Sequence, residues 1–397
     1  MGGEIFQGIF KKRRVLVTGH TGFKGAWLAI WLKELGSEVV GYALEPPSDP
    51  SNYAATGLAD RINHVHGDVR DLDHLLDVFA RYEPEMVFHL AAQALVRASY
   101  DDPKTTFDTN IGGTVNVLEA VRRTDSVRVL VNITSDKCYE NREWVWGYRE
   151  NDPMGGHDPY SASKGAAELV FAAYLRSFFS NALGKSGDAN PISGNIGSCL
   201  RISGALVGGG RQLGAASCRA GNAIGGGDWG KDRLLPDCVR ALSAGESIAI
   251  RNPHAIRPWQ HVLELLSGYL WLGACLWKEP GKFSGGWNFG PPHEAHVPVG
   301  EVVTRFVQAW GAGEWKDMSE TGAVHEAATL RLCCDKAASC LGWRNVLSLE
   351  QTIDMSAAWY KMFYSGAAQE AVYRFCTKQI EEYVKAAREM NLRWAEN

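Results

Sequence analysis

A glycine triplet narrows the fold more than any other feature. Gly19-x-x-Gly22-x-x-Gly25 lies between a short apolar run, Val15-Leu16-Val17, and a stretch with helical apolar spacing that includes Trp27, Ile30 and Trp31. A strand that turns through glycine straight into a helix is the first unit of a parallel sheet. Gly19 permits the tight turn, Gly22 lets backbone approach a pyrophosphate, and Gly25 allows close helix packing. Backbone N–H groups at the helix start then face phosphates. Gly19, Thr21, Gly22, Phe23 and Gly25 are therefore the expected cofactor cradle.

The chain downstream keeps the same rhythm. Val39–Ala43, Ile62–His66, Met86–Leu90 and Val127–Ile133 read as strands. Phe23–Leu35, Leu72–Arg81, Thr105–Arg123 and Pro159–Phe179 read as helices. This alternation predicts an α/β fold, a Rossmann-type doubly wound parallel sheet. Leu183–Gly210, rich in Gly, Ser and Asn, breaks the pattern and reads as an insertion, although Cys199–Val207 could form an extra strand. From Arg219 turn-rich segments dominate, with helices over Leu234–Ala244 and Val262–Trp277. The expected division is a dinucleotide-binding domain over 1–218, with its insertion at about 183–210, then a mainly substrate-binding lobe over 219–376. A charged helical tail over 377–397 follows.

Composition removes several classes of function. The 397 residues are 45% hydrophobic and 22% charged, ordinary for a globular chain with a large core. A net charge of −4 argues against nucleic acid as a partner, although a local arginine cluster can still hold a phosphate. The nine cysteines include no Cys-x-x-Cys pair, and Cys333, Cys334 and Cys340 lack a histidine at zinc-like spacing. They read as small buried hydrophobes in a reducing compartment, and no metal site is expected. No apolar run of about 18 residues occurs, so no membrane partner is expected and the location expected is cytoplasmic.

The chemistry concentrates in two runs, Thr134-Ser135-Asp136-Lys137 and Tyr160-Ser161-Ala162-Ser163-Lys164. Tyrosine is a poor base at neutral pH, because its free pKa is about 10. Lys164 lies one helical turn from Tyr160, on the same face, where its charge favours phenolate. Ser135, ending a strand, can hydrogen-bond the same substrate hydroxyl. This trio suits proton removal from an alcohol as hydride leaves to a nicotinamide. Asp68 and Val69 follow the third strand, and Asp68 either reaches the adenine or caps a helix. Leu90, Ala91 and Ala92 end the fourth strand with residues that suit a cofactor lying across it. The second strand ends without an acid, Glu45 comes late, and no arginine stands there. NAD is expected over NADP. Asn110 either orders this region through backbone bonds or faces a buried water.

These runs resemble the extended short-chain dehydrogenase/reductase family from Arg14 to about Trp343, apart from the insertion. Gly19-His20-Thr21-Gly22-Phe23-Lys24-Gly25, Thr134 to Tyr139, Arg219-Ala220-Gly221-Asn222, Gly225 to Trp229 and Arg251 to Val262 are similar to the branch that dehydrates CDP-linked glucose. The resemblance implies oxidation at carbon 4, loss of water across carbons 5 and 6, and hydride return to carbon 6. Tyr160 would take the 4-hydroxyl proton and Asp136 would protonate the departing 6-hydroxyl. Lys137 is either the carbon 5 base or a partner of Asp136 or of a phosphate. Arg219, Asn222, Arg257 and His261 are expected at the CDP-sugar, and Trp259 either packs under its base or fills a core. A homodimer through the helices at 105–123 and 159–179 is implied as well. Other readings stay open: a dehydratase for another nucleotide, a 4-epimerase, an NAD-holding sensor without turnover, or a homologue impaired by the insertion.

Overall fold

The computed structural model describes residues 4–179, 213–319 and 330–396. The expected insertion, with its possible strand at 199–207, lies outside the described residues. Seven parallel strands form the main sheet: β1 (Arg14–Thr18), β2 (Glu38–Ala43), β3 (Asn63–His66), β4 (Met86–His89), β5 (Val129–Ile133), β6 (Gly214–Ala220) and β7 (Gly285–Phe289). Their order is β7-β6-β5-β4-β1-β2-β3. Strand order reverses between β1 and β4, the switch point where an open sheet of this kind leaves a crevice.

Side chains alternate across the sheet, so each face has its own core. Leu16, Val40, Val87, Leu130 and Ala215 pack against α2 (Leu72–Tyr82), α3 (Gly113–Arg123) and α4 (Pro159–Tyr174). Val15, Val17, Phe88, Val131 and Cys218 pack on the other face against α1 (Phe23–Glu34). The C-terminal region adds α5 (Leu234–Ser243), α6 (Val262–Lys278), α7 (Val299–Trp310) and α8 (Leu349–Tyr364), followed by α9 (Gln369–Glu389). Every residue from Val262 to Leu276 is buried, because α6 also packs on β5 and β6. The tail is packed too. Val372, Cys376, Ile380, Tyr383 and Ala387 of α9 are buried at helical spacing, and Tyr383 meets Trp31 of α1 edge-on at 5.9 Å. Trp394 stacks on Phe6 at 5.2 Å.

Several boundaries differ from the spacing-based expectation. The single helix expected over 105–123 begins at Pro103, widens into a π turn at Asp108–Gly112 and resumes as α3. That turn carries Asn110 inward, and Gly113 presses so closely on Val69 that a Cβ there would lie 2.6 Å from Cγ2. The helix containing Tyr160 likewise ends in a π turn, Leu175–Phe179. β7 was not anticipated: Gly285-Gly286-Trp287-Asn288-Phe289 begins like a turn, yet it completes the first lobe's sheet from inside the segment expected as the second lobe.

Candidate active site

Gly19 and Gly25 meet the steric demands their spacing predicts. Gly19 has φ +76°, and a Cβ there would lie 2.7 Å from the Ala91 nitrogen. At Gly25 a Cβ would sit 2.1 Å from the Gly19 carbonyl oxygen, so only glycine lets α1 start this close to β1. At Gly22 a Cβ would meet nothing nearer than 3.4 Å. Gly22 caps α1 without a side-chain hydrogen bond. The first-turn N–H groups therefore have no side-chain cap from Gly22, and no Cβ at Gly22 stands in the way of a phosphate group approaching them. Thr21 donates to the Leu44 carbonyl at 3.0 Å, tying this loop to the end of β2, and the half-buried Phe23 ring borders Gly225. At the far corner Asp68 is held by Arg70, whose Nε lies 2.9 Å from Oδ2. Val69 is buried and its carbonyl accepts from Asn116 at 3.0 Å. Glu45 is exposed and 4.0 Å from His66, and His20 meets His64 at 2.8 Å.

Leu90, Ala91 and Ala92 sit half-buried at the end of β4. Their backbone is set by a directed chain of hydrogen bonds. Leu90 and Ala91 N–H both donate to Thr18 Oγ1 at 3.2 Å. The Thr18 hydroxyl therefore donates onward to His89 Nδ1 at 2.7 Å. Burial, with repulsion from Lys164, lowers the His89 pKa to about 3, so the ring is neutral. His89 Nε2 then faces Thr114 Oγ1 at 3.4 Å, and Thr114 donates to the Asn110 carbonyl at 2.7 Å. Asn110 itself accepts from Gln93 N–H at 2.8 Å and donates to Ser163 Oγ at 2.8 Å. Asn110 thus joins the β4 end to the helix of Tyr160.

The catalytic candidates gather where β5 ends and α4 begins. Asp158 caps α4 by accepting from Ser161 N–H at 2.9 Å, and Pro159 takes the first turn. Tyr160 is buried, with its N–H on Ser99 Oγ at 3.2 Å. Burial pushes its phenol up to about 12, opposed by a hydrogen bond with Ser135 and by the charge of Arg233. Lys164 is buried one turn on, and burial with the nearby Lys24 holds it down to about 8. Ser135 Oγ donates to Asp136 Oδ1 at 2.9 Å. Asp136 is raised by burial, against the lowering effects of Lys137, Ser135 and Lys24. A carboxyl shifted in this direction is suited to general-acid work. Lys137 follows on the same short 3-10 turn, half-buried.

The expected substrate residues divide. Asn222 is half-buried just past the end of β6, and Arg257 is half-buried in the short strand Ile256–Pro258. Arg257 Nη1 donates to the Ile256 carbonyl at 3.0 Å. Arg219 stands elsewhere: 5% exposed, it donates to Glu168 Oε2 at 2.9 Å, to the Tyr139 hydroxyl at 2.7 Å and to the Glu150 carbonyl at 2.8 Å. Its position inside β6 points it into the polar core behind α4, where its charge answers Glu168. His261 is wholly buried and caps α6, Nδ1 accepting from Leu263 N–H at 3.3 Å. Trp259 is buried with Nε1 on the Val297 carbonyl at 3.2 Å, which is core packing. Two cations went unnoticed in the sequence. Lys24 is lowered to about 8 by burial and by Arg233, while Asp136 and Asp228 oppose this. Arg233 pairs with Asp228 at 2.9 Å. The sequence signal for Lys24 is its place between Gly22 and Gly25, and for Arg233 its place shortly after Gly230. Among the described residues no acidic, cysteine or histidine cluster could hold a metal ion. Among them, too, no helix is long and apolar enough to cross a membrane.

This fold, with a glycine cradle and a Tyr/Ser/Asp/Lys cluster on one sheet edge, defines a class: the chain belongs to the family of short-chain dehydrogenases/reductases typified by GDP-mannose 4,6 dehydratase, which matches residues 16–183. Within that family it is a homologue of CDP-glucose 4,6-dehydratase. It is 45% identical to the Salmonella typhimurium protein of that name over 382 residues, covering 96% of this chain and 99% of the relative. CDP-paratose 2-epimerase of Salmonella typhi is 30% identical over 42% of this chain and 54% of its own. Among solved structures, a dTDP-glucose 4,6-dehydratase from Streptomyces venezuelae with NAD bound aligns at TM-score 0.68 and 21% identity, covering 88% of this chain and 97% of that one. A UDP-glucose 4-epimerase from Brucella ovis in complex with NAD aligns at TM-score 0.69 and 21% identity, over 88% and 98%.

Proposed function

We propose that the chain is an NAD-dependent hydro-lyase that converts CDP-D-glucose to CDP-4-dehydro-6-deoxy-D-glucose and water. The observation that carries the reading is a buried carboxyl with a raised pKa, Asp136, hydrogen-bonded to the serine that also engages Tyr160. A simple epimerase has no use for an acid there. The near full-length likeness to a CDP-glucose 4,6-dehydratase supports the same substrate.

NAD held in the Gly19–Gly25 cradle would accept hydride from carbon 4 and return it to carbon 6. The chain's own groups handle the protons. Tyr160, steadied by Ser135, takes the 4-hydroxyl proton, and Lys164 with Arg233 supplies the positive field that makes a phenol usable as a base. Lys137 is the proposed acceptor of the carbon 5 proton. Asp136 gives its proton to the 6-hydroxyl, which leaves as water. Arg257 and Asn222 are the proposed holders of the CDP-sugar. Leu169 on α4, Phe178 in the π turn after it and Phe107 in the helical turn that leads into α3 are exposed, which supports a homodimer through those helices. Incubation with CDP-glucose followed by mass spectrometry tests the proposal. The expected product has lost one water with no net redox change. An unchanged CDP-glucose, while a dTDP-, UDP- or GDP-hexose is dehydrated, refutes the substrate assignment.

A further inference from the structure

β6 ends at Ala220, and the next residue meets the catalytic carboxyl. A Cβ built on Gly221 would lie 2.6 Å from Asp136 Oδ2, 3.3 Å from its Cγ and 3.5 Å from Pro258 Cγ. Gly221 is not among the residues with positive φ, so its backbone conformation does not call for glycine. What calls for it is space. On the opposite side, Oδ1 of the same carboxyl accepts from Ser135 Oγ at 2.9 Å. Asp136 is 4% exposed, so its orientation is set by protein contacts rather than by solvent. Ser135 at Oδ1 and the bare α-carbon of Gly221 beside Oδ2 bracket the carboxyl in the orientation seen.

We propose that Gly221 is a positioning residue for the elimination step: its missing side chain gives the Asp136 carboxyl the orientation from which it protonates the departing 6-hydroxyl. The inference deepens the reading of Asp136 given above and rests on it. In that step the carbon 5 proton passes to Lys137, and its electron pair becomes the carbon 5–carbon 6 double bond. The carbon 6–oxygen bond breaks as the oxygen takes the Asp136 proton, and water leaves. A methyl at 221 cannot share the space with Oδ2, so the carboxyl rotates away and the Ser135 bond is lost. The collision is with the end of a side chain rather than with backbone, so the fold tolerates the change. Tyr160 keeps its own contact with Ser135, which leaves oxidation at carbon 4 largely intact.

The test compares Gly221→Ala with the parent, following the two half-reactions separately. Rapid-mixing absorbance of the nicotinamide reports oxidation at carbon 4. Mass analysis of quenched samples reports loss of water. Oxidation is expected to stay within about threefold of the parent and loss of water to slow by about 10- to 100-fold, the lower part of the range a general acid contributes. The oxidised sugar should therefore accumulate. Melting of the cofactor-free protein gives a second readout. If Gly221→Ala melts lower, adding Asp136→Ala restores the melting temperature, because the methyl then fills what the carboxyl vacated. Loss of water within about threefold of the parent, a parallel fall in both half-reactions, or a lowered melt without restoration each overturns the proposal. A parent that oxidises CDP-glucose but never releases water overturns the dehydratase reading itself, a result plainly distinct from any of these.

Discussion

Arg219 offers the sharpest test, because the sequence motif and the structure give it different work. The perturbation is Arg219→Met, which keeps most of the volume and removes the charge. Glu168, 3% exposed, would keep hydrogen bonds from Thr134 and from Ser217 at 2.8 Å but lose its cation. Removing one partner of a buried pair costs about 3–5 kcal/mol. Unfolding entropy is about 2.1 cal/mol/K per residue, so a chain of this length loses about 1.2 °C of Tm per kcal/mol. The expected fall is about 4–6 °C by scanning calorimetry at neutral pH. Burial alone would raise Glu168, but Arg219, Thr134 and Ser217 outweigh it, and its pKa lies below the usual carboxylate range. A depressed acid stabilises the fold above its unfolded pKa and loses that contribution as pH falls through the folded value. The gap between parent and variant should therefore narrow in acid. KM for CDP-glucose should change less than about threefold. A Tm unchanged within about 1 °C together with a KM raised more than about tenfold would refute the reasoning and return Arg219 to the substrate.

Three further outcomes follow from the same structure. Burial raises Glu264 to about 7, against hydrogen bonds from Leu347 N–H, the Tyr383 hydroxyl and Val346 N–H. Its folded pKa exceeds the unfolded one, so stability falls as pH rises from about 4.5 to 7, and Glu264→Gln should flatten the Tm–pH curve across that window. Gly25→Ala forces a Cβ against the Gly19 carbonyl, with an expected cost of about 3 kcal/mol and at least about tenfold weaker NAD binding by calorimetry. Lys137→Ala should abolish exchange of the carbon 5 proton with solvent, read by deuterium incorporation while carbon 4 oxidation continues. Undiminished exchange would assign that proton to another base.

The first lobe was legible because its signals are local. An apolar run, a glycine at a fixed offset and an amphipathic helix are all read within about 30 residues, and β1 through β5 followed from them. The grouping of the candidate cluster was legible for the same reason, since Ser135–Lys137 and Tyr160–Lys164 are each one short run. What escaped was set by distant partners. Arg219 looks like a phosphate ligand until Glu168 is seen 2.9 Å away across the sheet. His261 looks like a substrate contact until it is found capping α6. β7 opens with two glycines, and only pairing with β6 makes it a strand. His89 gave no sign, because its role depends on Thr18 and Thr114 from two other elements.

The origin of β7 has a consequence for how ligands come and go. A cleft that opens by hinge bending needs its two halves joined by one or two flexible crossings. Here the polypeptide leaves the sheet after Ala220, returns to its underside as α6, and re-enters it at Gly285 before departing again. So many covalent ties across one boundary resist rocking of either half as a rigid body. Access to the candidate site is left to the short turns around Gly225–Arg233 and Arg251–Ala255, whose rearrangement, rather than any jaw-like swing, would set the pace of product escape.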